Sequence, residues 1–373
     1  MKNGRNSPFI KHNHDLYRVK MENAPKGIAN LGNTCYINSC IQIFSAIKPL
    51  SDILENTNNT KTIHNPTRIE HQLWKHWKEI IKITNSPDEY GNSQAVLYPN
   101  GFISSIQIIA KQQRKTFLQN MEPEDTSEFL LFLIESLHAC LSRSINIKIG
   151  GHSENQVDNM AICVYKMIKN TYENEYSEIL ELFSGIQVTC IDSVYEPIVQ
   201  HSMIPEMFYI LNLPIPSSTS NNVYDCLDDY CKAELLEGDN RWYNETTDTF
   251  EDIRKYTTFW SFPTVLIICF QRLTPSGDKS NAPVDYPTVL DLRRYVSGYK
   301  KNEHMYDLMG VCNHSGNLSN GHYTAFVFRG KRWFFCNDDI IQVVEDEKNI
   351  NTPNAYCLFY MKQNSNVNIT TQK

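Results

Sequence analysis

Apolar residues recur with two different periods along the chain, and the change of period divides it into two halves. From residue 35 onward the stretch CYINSCIQIF, 35–44, carries apolar residues at helical spacing. The stretches at 68–83 and 125–141 also predict helices, and Asp125 with Glu128 three residues on resembles a capping box. The first half is therefore predicted to be mostly α-helical.

After about residue 185 the pattern changes to short runs rich in β-branched and aromatic residues, separated by Pro and Gly. These runs are TVLIICFQRL (264–273), HYTAFVFRG (322–330), RWFFC (332–336) and AYCLFYMK (355–362). They predict strands. A helical half followed by a sheet-rich half is an α+β layout.

Composition narrows the possible partners. The chain has 373 residues, 21% of them charged, and a formal net charge of −7, which disfavours nonspecific binding to nucleic acid or anionic lipid. The first 25 residues are polar, with no apolar segment for a signal peptide, and the longest apolar runs fall far short of the ~20 residues of a membrane span. We therefore expect neither nucleic acid nor a membrane as the partner.

The eleven cysteines are an odd number, and several lie in apolar runs, such as Cys269 in TVLIICF. This usage indicates reduced, buried thiols and a cytoplasmic or nuclear location. The chain contains no CxxC pair, so a four-cysteine zinc site has no support and we expect no metal or cofactor.

Cys35 lies between a Gly, Asn and Thr-rich run and the first predicted helix. A helix N-terminus lowers the pKa of a thiol, and the thiolate is the nucleophilic form. Asn30 could supply an amide donor to an oxyanion. From Cys35 alone, a small residue in a helix cap is an equally good interpretation.

His322 is the candidate base. It lies between a Gly-rich loop and an aromatic strand, and a predicted hairpin turn at 329–331 would bring the cluster at 337–339 back beside its ring. A lone histidine is usually structural, but this returning group of one amide and two carboxylates favours a functional site.

These segments resemble the ubiquitin-specific protease family of papain-like cysteine proteases. NLGNTCYINSCIQ (30–42) is similar to the family's Cys box, and the stretch from Tyr306 to Ile341 to its His box. Further family landmarks follow in order at 124–138, 177–185, 208–216, 266–273 and 284–295. The resemblance covers residues 26–362 and implies a catalytic domain with thumb, palm and fingers. Residues 1–25 are predicted to be a flexible arm and 363–373 a disordered tail.

The resemblance assigns the catalytic roles. Cys35 would be the nucleophile, His322 the general base and then acid, and Asn30 the oxyanion-hole side chain. Asn337 would be the third member of the triad, although Asp338 could share or take over its task.

The resemblance also implies a substrate, the C-terminal tail of ubiquitin. Asp125 and Glu128 match carboxylates that meet the arginines of that tail, and His314, Gly321 and Tyr323 match residues lining the channel to the cysteine. A plain helix cap remains an alternative for the two carboxylates. The implied activity is that of a deubiquitinating thiol isopeptidase. An inactive ubiquitin-binding member and a protease for a ubiquitin-like modifier are the alternatives, and the oligomeric state stays open.

The chain departs from the family in the fingers, where many members carry two CxxC pairs that bind zinc. Ser193 and Glu196 stand where the first pair is expected, and Asn244 and Thr247 near where the second is expected. The fingers are therefore expected to hold together without zinc.

Overall fold

The computed structural model describes residues 23–56, 69–85, 96–122, 125–217, 221–273, 278–317 and 321–363. Nearly all of the predicted arm and tail lies outside these residues. The helices of the described part are α1 (Cys35–Phe44), α2 (Lys48–Asn56), α3 (Glu70–Asn85), α4 (Asn100–Gln112), α5 (Thr116–Asn120), α6 (Thr126–Leu141), α7 (Gln156–Glu175), α8 (Glu178–Phe183) and α9 (Val223–Tyr230).

The predicted helices correspond to α1, α3 and α6. Helix α6 begins at the predicted position because the Asp125 carboxylate accepts a hydrogen bond from the Ser127 N–H at 2.7 Å, which satisfies one free donor of the first turn. The N-cap is confirmed. A full capping box also requires the Asp125 N–H to donate to the Glu128 carboxylate, and the described structure does not contain that bond.

The strands begin at residue 185, where the pattern of apolar residues changes. They are β1 (Gly185–Ser193), β2 (Gln200–Phe208), β3 (Ile210–Pro214), β4 (Asn221–Asn222), β5 (Glu234–Leu236), β6 (Trp242–Asn244), β7 (Thr249–Glu251), β8 (Ile253–Ser261), β9 (Val265–Gln271), β10 (Val284–Asp285), β11 (Val289–Asp291), β12 (Met305–Gly316), β13 (Gly321–Arg329), β14 (Arg332–Asn337), β15 (Ile340–Val343) and β16 (Ala355–Lys362). The α+β class is therefore confirmed.

An eight-stranded sheet forms the palm. Its order is β15-β14-β13-β12-β16-β9-β3, with β11 paired to β12, and only β3 and β9 run parallel. Helices α1, α3, α4 and α6 pack on one face in the larger apolar cluster, and α9 packs on the other. Strand β9 is apolar from Val265 to Phe270 because both of its faces are buried: Ile267 and Cys269 join the first cluster, and Ile268 and Phe270 join the second.

A four-stranded antiparallel sheet, β2-β1-β8-β5, forms the fingers, and β6 pairs with β7 in a separate hairpin. Helix α7 covers one face of this sheet through a small apolar cluster that includes Val164, Val188 and Cys190. The fingers therefore have their own core, distinct from the two clusters of the palm.

The expectation that all cysteines are reduced is wrong for one pair. Cys269 of β9 and Cys357 of β16 are direct cross-strand partners with a Cα–Cα distance of 4.2 Å, and they form a disulfide. They are 88 residues apart in sequence, so only the strand pairing reveals their proximity. The other nine cysteines are free, as predicted.

Candidate active site

Cys35 is the first residue of α1 and is 7% exposed. The preceding loop is shaped by its own polar side chains. The Leu31 N–H donates to Thr34 Oγ1 at 2.9 Å, and the Gly32 and Thr34 N–H groups donate to Asn30 Oδ1 at 3.0 and 3.2 Å. These bonds fix the turn that delivers the thiol at the start of the helix.

The predicted lowering of the Cys35 pKa is wrong for this state of the site. Burial raises the pKa of the thiol above its ordinary value, and the nearby charge of Asp338 raises it further. The backbone of Tyr323, Tyr36 and Cys35 itself acts in the opposite direction and lowers the pKa, but desolvation is the largest effect. The thiol is therefore neutral at physiological pH and needs a base.

His322 is held by the predicted hairpin. The turn between β13 and β14 falls at Gly330 and Lys331, whose φ angles of 54° and 68° suit a tight two-residue hairpin. The hairpin brings Asn337 Oδ1 to 2.7 Å from His322 Nε2. An amide oxygen can only accept, so Nε2 carries the proton and Nδ1 is left as the basic nitrogen.

Cys35 and His322 form no hydrogen bond with each other in the described structure. Their connection runs through the next residue of β13, because Tyr323 contributes both a backbone contact to the Cys35 thiol and a ring 6.5 Å from that of Tyr36. The candidate nucleophile on α1 and the candidate base on β13 thus lie where this helix packs against this strand.

Asp338 follows Asn337 and receives two amides of the Cys box. Its Oδ2 accepts from Asn30 Nδ2 at 3.0 Å, and its Oδ1 from Asn38 Nδ2 at 2.8 Å. The same Oδ2 lies 4.0 Å from His322 Nε2. Asn337 is therefore the direct partner of the imidazole, and Asp338 is the link between the imidazole and the expected oxyanion-hole amide.

The backbone of the two boxes is joined as well. The Ile28 N–H donates to the Asp338 carbonyl at 2.8 Å, and a Cβ at Gly27 would lie 2.3 Å from the Asp339 carbonyl oxygen. Only glycine permits this approach. The segment before Cys35 and the turn after β14 therefore form one unit.

The three expected channel residues also lie together. His314 and Tyr323 are direct partners on β12 and β13, with ring centroids 4.5 Å apart. A Cβ at Gly321 would lie 2.0 Å from His314 Nε2, so the imidazole occupies the space beside the glycine. Burial, with Lys279 nearby, lowers the pKa of His314 to about 4, and the ring is neutral.

The two expected arginine-binding carboxylates differ in their surroundings. Tyr356 donates its hydroxyl to Asp125 Oδ2, and its ring lies 6.0 Å from that of Tyr323 and 5.8 Å from that of His314. Asp125 therefore adjoins the channel residues. Glu128 is exposed one turn further along α6.

Sequence reasoning missed Asn38 and Tyr356. Asn38 is a buried polar residue within an apolar helical run, three residues after Cys35, and that position could have identified it. Tyr356 gives no such indication, because aromatic residues fill the whole of β16.

In the described residues no group of three or more His, Cys, Asp or Glu side chains could hold a metal ion. None of the described helices is long and apolar enough to cross a membrane. The groups that do converge are a thiol, an imidazole with one free nitrogen, and amide donors. That set is suited to acyl transfer through a thioester.

Known proteins that are similar in sequence include members of one family. The family model described as ubiquitin carboxyl-terminal hydrolase matches residues 26–360. Ubiquitin carboxyl-terminal hydrolase 4 of Candida glabrata is 26% identical over 364 residues, which are 90% of this chain and 40% of that protein. Ubiquitin carboxyl-terminal hydrolase 5 of Saccharomyces cerevisiae is 26% identical over 90% of this chain and 44% of its own length. The chain thus spans about two fifths of these curated relatives.

Solved structures with a similar fold include the SAGA Ubp8/Sgf11/Sus1/Sgf73 DUB module bound to ubiquitin aldehyde. That match has a TM-score of 0.68 and 21% identity and covers 91% of this chain and 69% of the other. The same module bound to monoubiquitin matches with a TM-score of 0.68 and 20% identity, over 92% and 70% of the two chains. The thumb, palm and fingers fold is therefore confirmed.

Proposed function

Because the chain belongs to the ubiquitin carboxyl-terminal hydrolase family, we propose that it is a thiol isopeptidase that cleaves after the C-terminal glycine of ubiquitin. The observation that carries this proposal is the 2.7 Å contact between His322 Nε2 and Asn337 Oδ1, which leaves Nδ1 as a base beside the strand residue that contacts the Cys35 thiol. The ubiquitin seen in the structures of similar fold supports the same substrate.

The reaction follows from these groups. His322 takes the Cys35 proton, and the thiolate attacks the carbonyl carbon of the terminal glycine. Amide donors, including that of Asn30, stabilise the oxyanion. His322 then protonates the leaving amine, and a thioester forms at Cys35. Water, deprotonated by His322, releases the carboxylate and restores the thiol.

The raised pKa of the Cys35 thiol affects the first step. A neutral thiol must lose its proton to His322 before or during attack, so the imidazole has to approach the sulfur in the reacting complex. Asn30 must likewise present its amide to the oxyanion, although in this structure that amide donates to Asp338. Substrate binding is the natural cause of both adjustments.

For the channel we propose that His314, Gly321 and Tyr323 admit only a tail that ends in glycines. The close packing of the His314 ring, whose Nε2 would lie 2.0 Å from a Cβ at Gly321 and whose centroid lies 4.5 Å from that of Tyr323, supports this proposal. Asp125 and Glu128 would pair with the arginines that precede those glycines. The net charge of −7 supports protein rather than nucleic acid or a membrane surface as the partner. The nine free thiols support a cytoplasmic or nuclear location.

The test is hydrolysis of a fluorogenic C-terminal amide of ubiquitin. We expect activity in the wild type and a loss of at least about 10⁴-fold in Cys35→Ala. Cys163→Ala, which removes another free but partly exposed cysteine on α7, is the matched control and should retain activity. Asn337→Ala should lose about 10- to 1,000-fold, because the imidazole is no longer oriented.

Two results would contradict the proposal. Hydrolysis of a ubiquitin-like modifier amide, with none of ubiquitin, would identify the other substrate class. Binding of ubiquitin without turnover of any amide would identify an inactive family member.

A further inference from the structure

Asn38 is a polar residue buried in the apolar helix that begins with the candidate nucleophile. It is 2% exposed, and its spacing of three residues from Cys35 puts both on one face of α1. A buried amide needs partners within the protein. The identity of those partners indicates its role.

The two N–H groups of the Asn38 amide bridge two parts of the site. Its Nδ2 donates to Asp338 Oδ1 at 2.8 Å and also contacts the carbonyl oxygens of Ala29 at 3.3 Å and Ile28 at 3.5 Å. Residues 28 and 29 lead directly into Asn30. One side chain therefore holds both the carboxylate after β14 and the segment that carries the expected oxyanion-hole amide.

The orientation of this amide is fixed by its neighbours. A flipped amide would place Oδ1 against a carboxylate oxygen and two carbonyl oxygens, all of them acceptors. In the observed orientation Oδ1 is buried and has no hydrogen-bond partner among the described residues. An unsatisfied buried acceptor destabilises the fold. The amide therefore keeps its Nδ2 donor on Asp338 although its oxygen is left without a hydrogen bond.

Asp338 depends on neutral donors for its position. In the described residues its carboxylate is bound by the amides of Asn30 and Asn38, with His322 Nε2 at 4.0 Å, and no Lys or Arg pairs with it. Without Asn38, Oδ1 would lose its donor and the carboxylate could rotate. Oδ2 would then leave Asn30 and His322.

We propose that Asn38 is a positioning residue of the hydrolytic reaction. It fixes the Asp338 carboxylate so that Oδ2 faces the Asn30 amide and the His322 ring. Its contacts with the carbonyl oxygens of Ala29 and Ile28 are longer than its bond to Asp338, so it acts on the reaction chiefly through Asp338. The proposal rests on the proposed function.

Gln42 provides a matched control. It lies one turn further along α1 and is also 2% exposed, and its side-chain oxygen is likewise buried with no partner in the part of the chain that the structure describes. Its Nε2 donates to the Lys26 carbonyl at 2.7 Å, and in the described structure it makes no hydrogen bond to Asp338. Replacing Gln42 tests the loss of a buried amide of this helix without disturbing Asp338.

The first experiment is a double-mutant cycle on kcat with the fluorogenic ubiquitin amide. Asn38→Ala should lower kcat about tenfold or more with little change in KM, because catalytic groups are displaced while the substrate contacts remain. In the Asp338→Ala background the same substitution should have almost no further effect. Gln42→Ala should leave kcat within about twofold. Multiplicative losses in the cycle, or an equal loss from Gln42→Ala, would overturn the proposal.

Asn38→Asp adds a test that retains the shape of the side chain. An aspartic acid donates a hydrogen bond only when protonated, and a neighbouring carboxylate raises its pKa. The kcat of Asn38→Asp relative to wild type should therefore rise as the pH falls from about 8 to about 6. Gln42→Glu should show no such recovery. A flat ratio for Asn38→Asp would contradict the proposal.

A readout without ubiquitin separates this proposal from the proposed function. The rate of Cys35 alkylation by iodoacetamide, followed by mass spectrometry of the Cys35 peptide, reports the pH at which the thiolate forms. Because the Asp338 charge opposes that thiolate, Asp338→Ala should lower the midpoint. Asn38→Ala removes a hydrogen bond that disperses the negative charge of the Asp338 carboxylate, so it should raise the midpoint.

The double variant should match Asp338→Ala. If the wild type fails to cleave ubiquitin but the alkylation cycle behaves in this way, the proposed function fails and the link from Asn38 to Asp338 stands. If Asn38→Ala shifts the midpoint equally in both backgrounds, the positioning role is wrong whatever the substrate.

Discussion

Two carboxylates of this molecule, Asp338 at the active site and Glu251 in the fingers, have similar surroundings but different origins. Glu251 Oε1 accepts from Asn244 Nδ2 at 2.9 Å and from the hydroxyls of Thr247 at 2.6 Å and Thr249 at 3.3 Å, while His201 Nε2 lies 3.4 Å from its other oxygen. Asp338 also has amide donors and a histidine. Its two amides, however, come from 308 and 300 residues away.

The different sequence separations indicate different roles for the hydrogen-bond networks around Glu251 and Asp338. The donors to Glu251 lie within seven residues and form with the hairpin itself. The network around Asp338 exists only when the first helix and the last strands of the palm are packed together. Asn244 and Thr247 also lie near the position at which the family resemblance leads us to expect a second zinc-binding pair, and here both bind the Glu251 carboxylate.

The largest expected effect on kcat/KM comes from replacing Asp338, and the same replacement of Glu251 provides the direct comparison. Asp338→Ala should lower kcat/KM for the ubiquitin amide by about 10²- to 10³-fold, because the Asn30 amide, the proposed oxyanion-hole donor, and the imidazole would both lose their shared partner. Glu251→Ala should change kcat/KM less than about twofold. Parallel assays of the two variants at saturating and limiting substrate would provide the comparison.

The opposite ranking would show that the fingers, rather than the junction of the two boxes, limit turnover. Circular dichroism on both variants is the control for folding.

A smaller effect is expected from the proposed channel, at Gly321. In Gly321→Ala the added Cβ would lie 2.0 Å from His314 Nε2 and 3.0 Å from the Asn317 carbonyl oxygen. Such overpacking costs about 1–3 kcal/mol, and the displaced imidazole should lower kcat/KM about tenfold. Gly150→Ala is the control, because no atom lies within 4 Å of its added Cβ. Equal Tm and kcat/KM values in the two variants would show that the channel is not a tight fit.

The sequence was sufficient where a feature is local. The Asp125 cap, the turn at Gly330 and Lys331, and the start of the sheets at residue 185 all depend on nearby residues, and the structure agrees with each. The contact of His322 with Asn337 followed from the same turn. Helix α7 was not predicted, because only a narrow stripe of it is buried against the fingers.

Features formed by distant segments could not be predicted. The Tyr356 hydroxyl reaches Asp125 across 231 residues, and the Cys269–Cys357 pair appears only in the alignment of β9 and β16. The pKa of Cys35 depends on burial, which outweighs the helix terminus that sequence reasoning considered. The choice between Asn337 and Asp338 also required the structure, which gives them different partners.

An intermediate effect should appear in the pH dependence of stability. The pKa of buried His314 is lowered from 6.5 to about 4, so the folded state binds fewer protons than the unfolded state between those values. The free energy of unfolding should therefore fall as the pH drops through 6.5, and this loss should level off below about 4. Thermal unfolding between pH 7 and pH 5 should show a decrease in Tm of several degrees.

His314→Asn should reduce this slope by about half, because one of two such groups is gone. His304, whose pKa burial also lowers to about 4, still gains a proton on unfolding. His152→Ala, which removes an exposed histidine, should leave the slope unchanged.

The carboxylate of Glu251 in the fingers contributes to the pH dependence of stability at lower pH. Hydrogen bonding, chiefly from Thr247, lowers the pKa of Glu251 below 4.5, so its contribution is lost only as the pH falls below that value. A single transition near pH 4 that is insensitive to His314→Asn would show that the palm histidine contributes nothing.

The smallest effect is expected in the fingers network itself. Asn244→Ala removes one donor to Glu251 and an acceptor for the Thr246 N–H, but Thr247 and Thr249 remain bound to the same carboxylate oxygen. Because this network is local and partly redundant, the loss should be about 0.5–1 kcal/mol by urea unfolding, with kcat/KM unchanged. A loss above about 3 kcal/mol would mean that the hairpin depends on this network as a zinc site depends on its metal. The distinction between a long-range catalytic network and a local structural one would then fail, because a few neighbouring residues would be determining the stability of the whole domain.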